Sequence, residues 1–354
     1  MPAPPLLHDL ACVVHLHSTY SDGTGTVPEI AAAGRRAGVD VVLLTDHDTL
    51  EAKQRGEEGW YGSVLLLVGE EVSPTGRDHY LAFGIDEVIR HRRLNLDAAG
   101  ICRAVADAGG FGFAAHPFSK GSTRFDRPGM PFSDLECEAL HGIELWSFVT
   151  DSAERVASIS ELVRFVMRPE SVVDHPPREN VEAWDRLCRE RRVAALGGLD
   201  AHQIGRRIGN RVPLKLMSYS RSFRYLHTHV LCEELPDGDL AHDREQVYAA
   251  LRAGRCFIAM DALAPARGFS FWADGPAGTT TMGAEEPAGD WTLHVSAPRP
   301  AELRLLRDGS EVARATGARL EHRADEPGVY RTEAQLDTRW GMRTWILSNP
   351  IYLR

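Results

Sequence analysis

Residues 11–23 read ACVVHLHSTYSDG. An apolar, β-branched run of this kind is the pattern of a buried strand. Here it stops at two histidines, His15 and His17, and a turn carrying Asp22. Side chains two residues apart on a strand share a face, so the two imidazoles are expected to project together. The same arrangement recurs along the chain. VDVVLLTDHD (39–48) ends in His47, VLLLVGEE (64–71) in Glu71, and FGFAAHP (111–117) in His116. HYLAFG (79–84) carries His79, and VAALGGLDAH (193–202) supplies Asp200 and His202. Nine imidazoles and carboxylates at or near the ends of apolar runs suit Zn, Mn or Fe, and they are enough for two or three divalent ions.

Between these runs lie helical patterns. In TVPEIAAAGRRAG (26–38), Thr26 is a candidate N-cap, Pro28 sits in the first turn and Gly38 is a stop. NLDAAGICRAVADAGG (95–110), ENVEAWDRLCRERR (179–192) and DREQVYAALRAG (243–254) read as further helices, and LEAKQRGEEGW (50–60) as a shorter one. Strand–helix alternation with continuous apolar strands predicts an α/β fold with a parallel sheet. An open sheet gathers its ligands at one switch point. Ligands drawn from many strand ends instead favour the rim of a β/α barrel.

From about residue 264 the pattern changes to short alternating runs between turn residues, among them FSFWADG, WTLHVSA, AELRLLRDG and TWILSNPIYL. This predicts a barrel over 1–263 and a C-terminal antiparallel β-sandwich over 264–354. Segments 118–140 and 150–178 lack sustained periodicity and read as long loops of the lid or specificity kind.

The 354 residues carry a formal charge of −10, which argues against polymeric nucleic acid as a partner but not against a small anionic substrate. Two or three bound dications would make the pocket locally positive whatever the global sign. The first residues lack a basic signal region, and no apolar run approaches a membrane span, so a cytoplasmic protein is expected. The six cysteines fall mostly in apolar runs without a CxxC and read as reduced core residues.

Individual residues can be weighed further. Asp46 and Asp48 flank His47 and read as loop caps or supports for it. Glu70 points away from Glu71 on a strand and reads as a surface charge. His227 and His229 in LHTHV repeat the HxH spacing but lack the following turn with its aspartate, so they read as core or surface residues. Neither GxSxG nor a phosphate-binding loop of the Walker type occurs, so a metal-bound hydroxide, not a side chain, is the expected nucleophile. Lys120 and Arg124 after His116, and Arg206 and Arg207 after His202, are candidate anion binders.

The segments HLHSTYSDG, LLTDHDT, GEEVS, AAHPF and LDAH resemble the motifs of the PHP (polymerase and histidinol phosphatase) superfamily over about residues 12–205. The resemblance implies a distorted (β/α)7 barrel. It also implies that His15, His17, Glu71 and Asp200 hold one ion, that Glu71 bridges to a second held by His79 and His116, and that Asp22, His47 and His202 hold a third. Short strings near the C-terminus, LLRDGSEVARATG and GVYRTEAQL, are similar to the β domain of CehA/McbA-type metallohydrolases, a branch that includes carbamate-ester hydrolases. The expected activity is hydrolysis of a small phosphate ester, such as a nucleotide or sugar phosphate. Carbamate or carboxylic ester hydrolysis is the alternative, and a non-catalytic metal-binding module the third reading.

Overall fold

Between His8 and Gly198, seven strands of four or more residues carry the fold in a computed structural model that describes residues 3–205, Gly209 and 215–354. Strand β1 (His8–Val14) leads into helix α1 (Val27–Ala37) and strand β2 (Val41–His47). The expected punctuation of α1 is present. Glu29 accepts the Thr26 backbone N–H at 2.9 Å, and Gly38 takes a left-handed φ of 80° after the last turn. Strands β3 (Val64–Val72) and β4 (Tyr80–Phe83), helix α2 (Ala98–Asp107), and strands β5 (Phe111–Ala114) and β6 (Gly142–Ser147) follow. Helices α3 (Phe148–Arg155), α4 (Ile159–Met167) and α5 (Arg178–Glu190) precede strand β7 (Ala194–Gly198).

The pairings β1–β2, β2–β3, β5–β6 and β6–β7 are parallel, but β4 runs antiparallel to both β3 and β5. The expectation of a wholly parallel sheet therefore fails at β4. Only residues 73–79 join β3 to β4, and a parallel return needs a crossover of a dozen or more residues. Past β7 the chain bonds back to the first strand: Leu199 N–H donates to Val14 O at 2.9 Å and His17 N–H to Ala201 O at 3.0 Å.

Strand alternation sorts the core into two sides. Val42, Leu44, Leu66 and Val68 pack with α1, α2 and α5, whereas Val41, Leu43, Leu65 and Leu67 pack with Val14, Phe83 and Phe113. His47 and Glu71 share the parity of this second set, so β2 and β3 aim both side chains inward.

Strand β8 (Leu226–Cys232) runs antiparallel to β1, and helix α6 (Leu240–Ala253) leads to strand β9 (Cys256–Met260), antiparallel to β8. The C-terminal part holds β10 (Ser270–Gly275), β11 (Trp291–Arg307), β12 (Ser310–Ala324), β13 (Gly328–Thr338), β14 (Gly341–Ser348) and β15 (Ile351–Leu353). WTLHVSA and AELRLLRDG, which read as two strands, are one: β11 passes through Pro298 and Pro300 where its register against β12 shifts. A bulge of this kind admits proline because the ladder is already interrupted.

Strand β9 pairs with β14, Phe257 facing Ser348, and the C-terminal core takes in Leu231, Phe257 and Ala259. The sheet is thus continuous across residue 263. Segment 150–178 is not the long loop its aperiodic sequence suggested, since it contains most of α3 and all of α4. All six cysteines are buried and unpaired. No helix among the described residues is long and apolar enough to cross a membrane.

Candidate metal centre

All nine side chains converge on one region at the C-terminal ends of β1, β2, β3, β5 and β7 and the N-terminal end of β4. Reversal of β4 explains His79. It precedes its strand, not follows it, and an antiparallel strand places its beginning beside the ends of its neighbours.

His15 and His17 reach the centre differently from the strand alternation expected of them. Strand β1 stops at Val14, and His15 has a left-handed φ of 62°. His116 (φ 30°) and Asp200 (φ 51°) share this sparsely populated backbone. Such conformations persist only where surrounding contacts hold them, and they cluster at functional sites.

Four side chains form the innermost group. His15 Nε2 and His17 Nε2 each lie 3.3 Å from Glu71 Oε2 and 3.5 Å from Asp200 Oδ1. A tetrahedral ion with bonds of about 2.0–2.1 Å separates its donors by about 3.3–3.4 Å. The other oxygen of Glu71, Oε1, lies 2.8 Å from His79 Nδ1 and 3.5 Å from His116 Nε2. The two oxygens of one carboxylate thus face two different sets of imidazoles. Asp22 Oδ1 lies 3.1 Å from His202 Nε2 and 3.7 Å from His47 Nε2. Exposure grades across the centre, from 0% for the His17 side chain to 27% for His47 and 58% for Asp22. The Asp22–His47–His202 side is therefore the mouth.

His15 Nε2, both His17 ring nitrogens, His116 Nδ1 and Glu71 Oε2 are buried without a hydrogen-bond partner. Leaving so many polar atoms unpaired is costly. Cations bonded to these atoms would remove that cost, so the residues present fit metal ions. Burial, helped by neighbouring His202, pushes His17 down to about 3, which keeps its imidazole neutral. Burial works to raise Glu71, but His15, His79 and His116 around it hold it well below the usual carboxylate range.

The supporting residues differ in part from those expected. Asp46 accepts from Ser18 N–H (2.7 Å), Ser18 Oγ–H (2.6 Å) and Ser21 Oγ–H (2.5 Å), so it shapes the turn that carries Asp22. Asp48 accepts from Ser73 N–H at 2.8 Å, and Ser73 Oγ lies 2.6 Å from His47 Nδ1, so its support of His47 is indirect. Glu70 is not a surface charge. It is fully buried on the helix side of β3, accepting from Ile89 N–H at 3.0 Å, and burial raises it to about 8.

Sequence reading missed Glu144 altogether. Its Oε1 lies 2.9 Å from His15 Nδ1, and its Oε2 accepts the His116 backbone N–H at 2.7 Å. It fixes the proton of His15 on Nδ1 and leaves Nε2 free to bond a metal. The available signal was a lone carboxylate within the apolar strand GIELWS. Thr150 on α3 donates to Asp200, and Tyr219 donates to His17 O at 2.6 Å.

Of the candidate anion binders, Lys120 and Arg124 are described, and neither has a bond to the nine clustered side chains. Lys120 is paired with Glu179 at the start of α5, and Arg124 is exposed in its loop. Arg206 and Arg207 lie outside the described residues.

Searched against family models and against curated proteins, the chain matches none. Solved structures do match. The chain is similar to PHP-like proteins of known structure. One is a two-domain protein from Bacteroides vulgatus containing a predicted PHP-like metal-dependent phosphoesterase, with 16% identity, a TM-score of 0.47, and 98% of this chain and 97% of that chain covered. A second is a candidate metal-dependent phosphoesterase from Bifidobacterium adolescentis, with 20% identity, a TM-score of 0.37, and coverage of 58% and 91%. A third is an amidohydrolase from Chromobacterium violaceum with bound sulfate and no metal, with 17% identity, a TM-score of 0.30, and coverage of 66% and 95%.

Proposed function

We propose that the protein is a PHP-type metal-dependent hydrolase that cleaves a small, anionic phosphate ester. The observation that carries this reading is the division of Glu71, whose two oxygens face separate imidazole sets 3.3 and 2.8 Å away. A purely structural site needs one closed ligand set, whereas a carboxylate shared between two sets belongs to a multi-ion centre. We further read β1–β7 as a distorted (β/α)7 barrel over 1–263 and the remainder as a sandwich over 264–354. The hydrogen bonds from the end of β7 to the end of β1 support the closure.

His15, His17, Glu71 and Asp200 would hold one ion, Glu71, His79 and His116 a second, and Asp22, His47 and His202 a third. When bound, such ions supply an activated water near neutral pH and neutralise charge on oxygens of the substrate. The chain's own residues do the placing. Glu144 orients His15 through Nδ1, Thr150 holds Asp200, and Ser73 holds His47. The exposed edge at Asp22 and His202 admits substrate, while fully buried His15 and Glu71 close the inner side to water. A phosphate ester arrives charged and gains charge on several oxygens as its bond breaks, which several cations answer better than they answer the single oxyanion of a carbamate.

The test is turnover of one preparation, loaded with Mn or Zn, on an aryl phosphate, an aryl phosphodiester and an aryl carbamate with the same leaving group. Highest kcat/KM on a phosphoester is expected. If the carbamate leads and both phosphoesters stay at background, the reaction is carbonyl hydrolysis.

A further inference from the structure

His227 and His229, set aside as core or surface residues by their sequence, are buried together on one face of β8 with Asp261 beside them. His227 Nε2 lies 2.6 Å from Phe223 O, and His229 Nδ1 lies 2.7 Å from Asp9 Oδ1. A carbonyl and a carboxylate can only accept, so both contacts use ring N–H groups. A neutral imidazole has one N–H. The remaining nitrogens, His227 Nδ1 and His229 Nε2, then carry lone pairs, yet both point at the same atom, Asp261 Oδ2, at 2.7 and 3.1 Å.

With both rings neutral, three acceptors meet there with no donor between them. Either two extra protons or one metal ion must sit among them. Two protons would place two imidazolium rings, centroids 6.1 Å apart, side by side in a buried site. Like charges at that range oppose each other. One dication satisfies all three atoms and leaves both rings neutral. The outer contacts are those that metal-bound histidines make, since such rings donate their second N–H to a carboxylate or a backbone carbonyl.

We infer that His227 Nδ1, His229 Nε2 and Asp261 Oδ2 form a second, separate site for a zinc-class divalent ion. Its fourth position opens to a cavity of about 470 Å³ that the same three residues line with Arg36, Arg224 and Arg267. Bonds of about 2.0–2.1 Å need donor separations of about 3.3 Å, about 0.2–0.6 Å more than the 3.1 and 2.7 Å seen, so Asp261 would swing back slightly to admit the ion. The site joins β1, through Asp9, to β8 and to the turn after β9. In that turn Asp261 Oδ1 also accepts the Ala266 N–H at 3.0 Å, so the ion would clasp the start of the C-terminal part to the first strand. It is independent of the catalytic reading above, which uses none of these residues.

The experiment is metal content, by mass spectrometry of the element, for zinc-loaded wild type and the His227→Gln/His229→Gln and Asp261→Asn variants. Each variant is expected to hold one zinc fewer while keeping hydrolytic turnover. Equal zinc content in wild type and an active variant would overturn the site and leave the pair as buried imidazoliums. Should the variants not fold, zinc-edge anomalous diffraction from wild-type crystals decides. A peak bonded to His227 Nδ1 and His229 Nε2 supports the site, and density without such a peak removes it.

Discussion

Glu71 and Glu70 are adjacent in sequence and opposite in environment, so they make the sharpest contrast available at single residues. Glu71→Gln removes charge from the carboxylate whose two oxygens face two imidazole sets, and it should lower bound metal as well as turnover. Glu70→Gln, buried on the other side of β3, keeps an acceptor for Ile89 N–H and should leave both near wild type. Equal, mild effects of the two changes would mean the bridge lies elsewhere. Glu144→Gln keeps its size but loses the charge that fixes His15. A fall of about 10–100-fold in metal affinity or turnover is expected, and an unchanged metal titration would show that Glu144 only packs. Away from the centre, burial between Phe111 and Phe113 pushes His141 down to about 4. A folded pKa below the unfolded value of about 6.5 means stability is intact above pH 6.5 and is lost as pH falls toward 4. Relative to His141→Phe, wild type should lose roughly 3 kcal/mol across that window, measured by urea unfolding at each pH. Parallel curves would refute the assignment. The nine clustered residues were legible because imidazole and carboxylate after an apolar run are rare and costly unless used. Glu144 was not, because one carboxylate inside a strand has no local pattern, and the partners that explain it are 28 and 129 residues away.

At the scale of elements, helices and inward strands were readable wherever capping and periodicity agreed, as in α1 and α2. Direction was not. HYLAFG reads as a strand from its residues, but only the short link before it makes β4 run backwards, and that reversal brings His79 to the centre. Helix α4 escaped notice because its apolar residues do not all face a core: Ile159 is 65% exposed and Met167 69% exposed. A glycine in β7 shows how tightly the elements are fitted around the site. A Cβ on Gly198 would lie 1.9 Å from Glu144 Oε1, and the carboxylate can move aside only by giving up its bonds to His15 Nδ1 and the His116 N–H. Gly198→Ala should therefore displace Glu144 and mimic Glu144→Gln. The double variant should be no worse than the poorer single one, the signature of two changes acting through one contact. Additive losses would instead show that Gly198 matters through backbone freedom.

At the scale of the whole molecule, the change of pattern near residue 264 was visible in the sequence, but the weld across it was not. Pairing partners of β9 lie almost ninety residues downstream in β14, beyond the reach of any local pattern. Asn349, just past β14, accepts the Ala195 N–H at 2.8 Å and donates to Ala195 O at 2.8 Å and Cys256 O at 2.9 Å. Arg331 on β13 grips Asp185 on α5 through two bonds, at 2.6 and 2.8 Å. The C-terminal part thus completes hydrogen bonding in β7 and covers Phe257 and Ala259, while supplying none of the nine clustered side chains. Removing it after residue 263 leaves β9 as an open edge with an apolar face, the combination that drives aggregation. Fragment 1–263 is expected to be insoluble. Asn349→Leu in the full chain strands buried backbone groups at about 1–3 kcal/mol each, so its Tm should fall while metal content and kcat/KM hold. A soluble fragment with full metal content would show that the weld is dispensable. An Asn349→Leu protein that keeps its Tm but loses turnover would place the C-terminal part in catalysis instead of support.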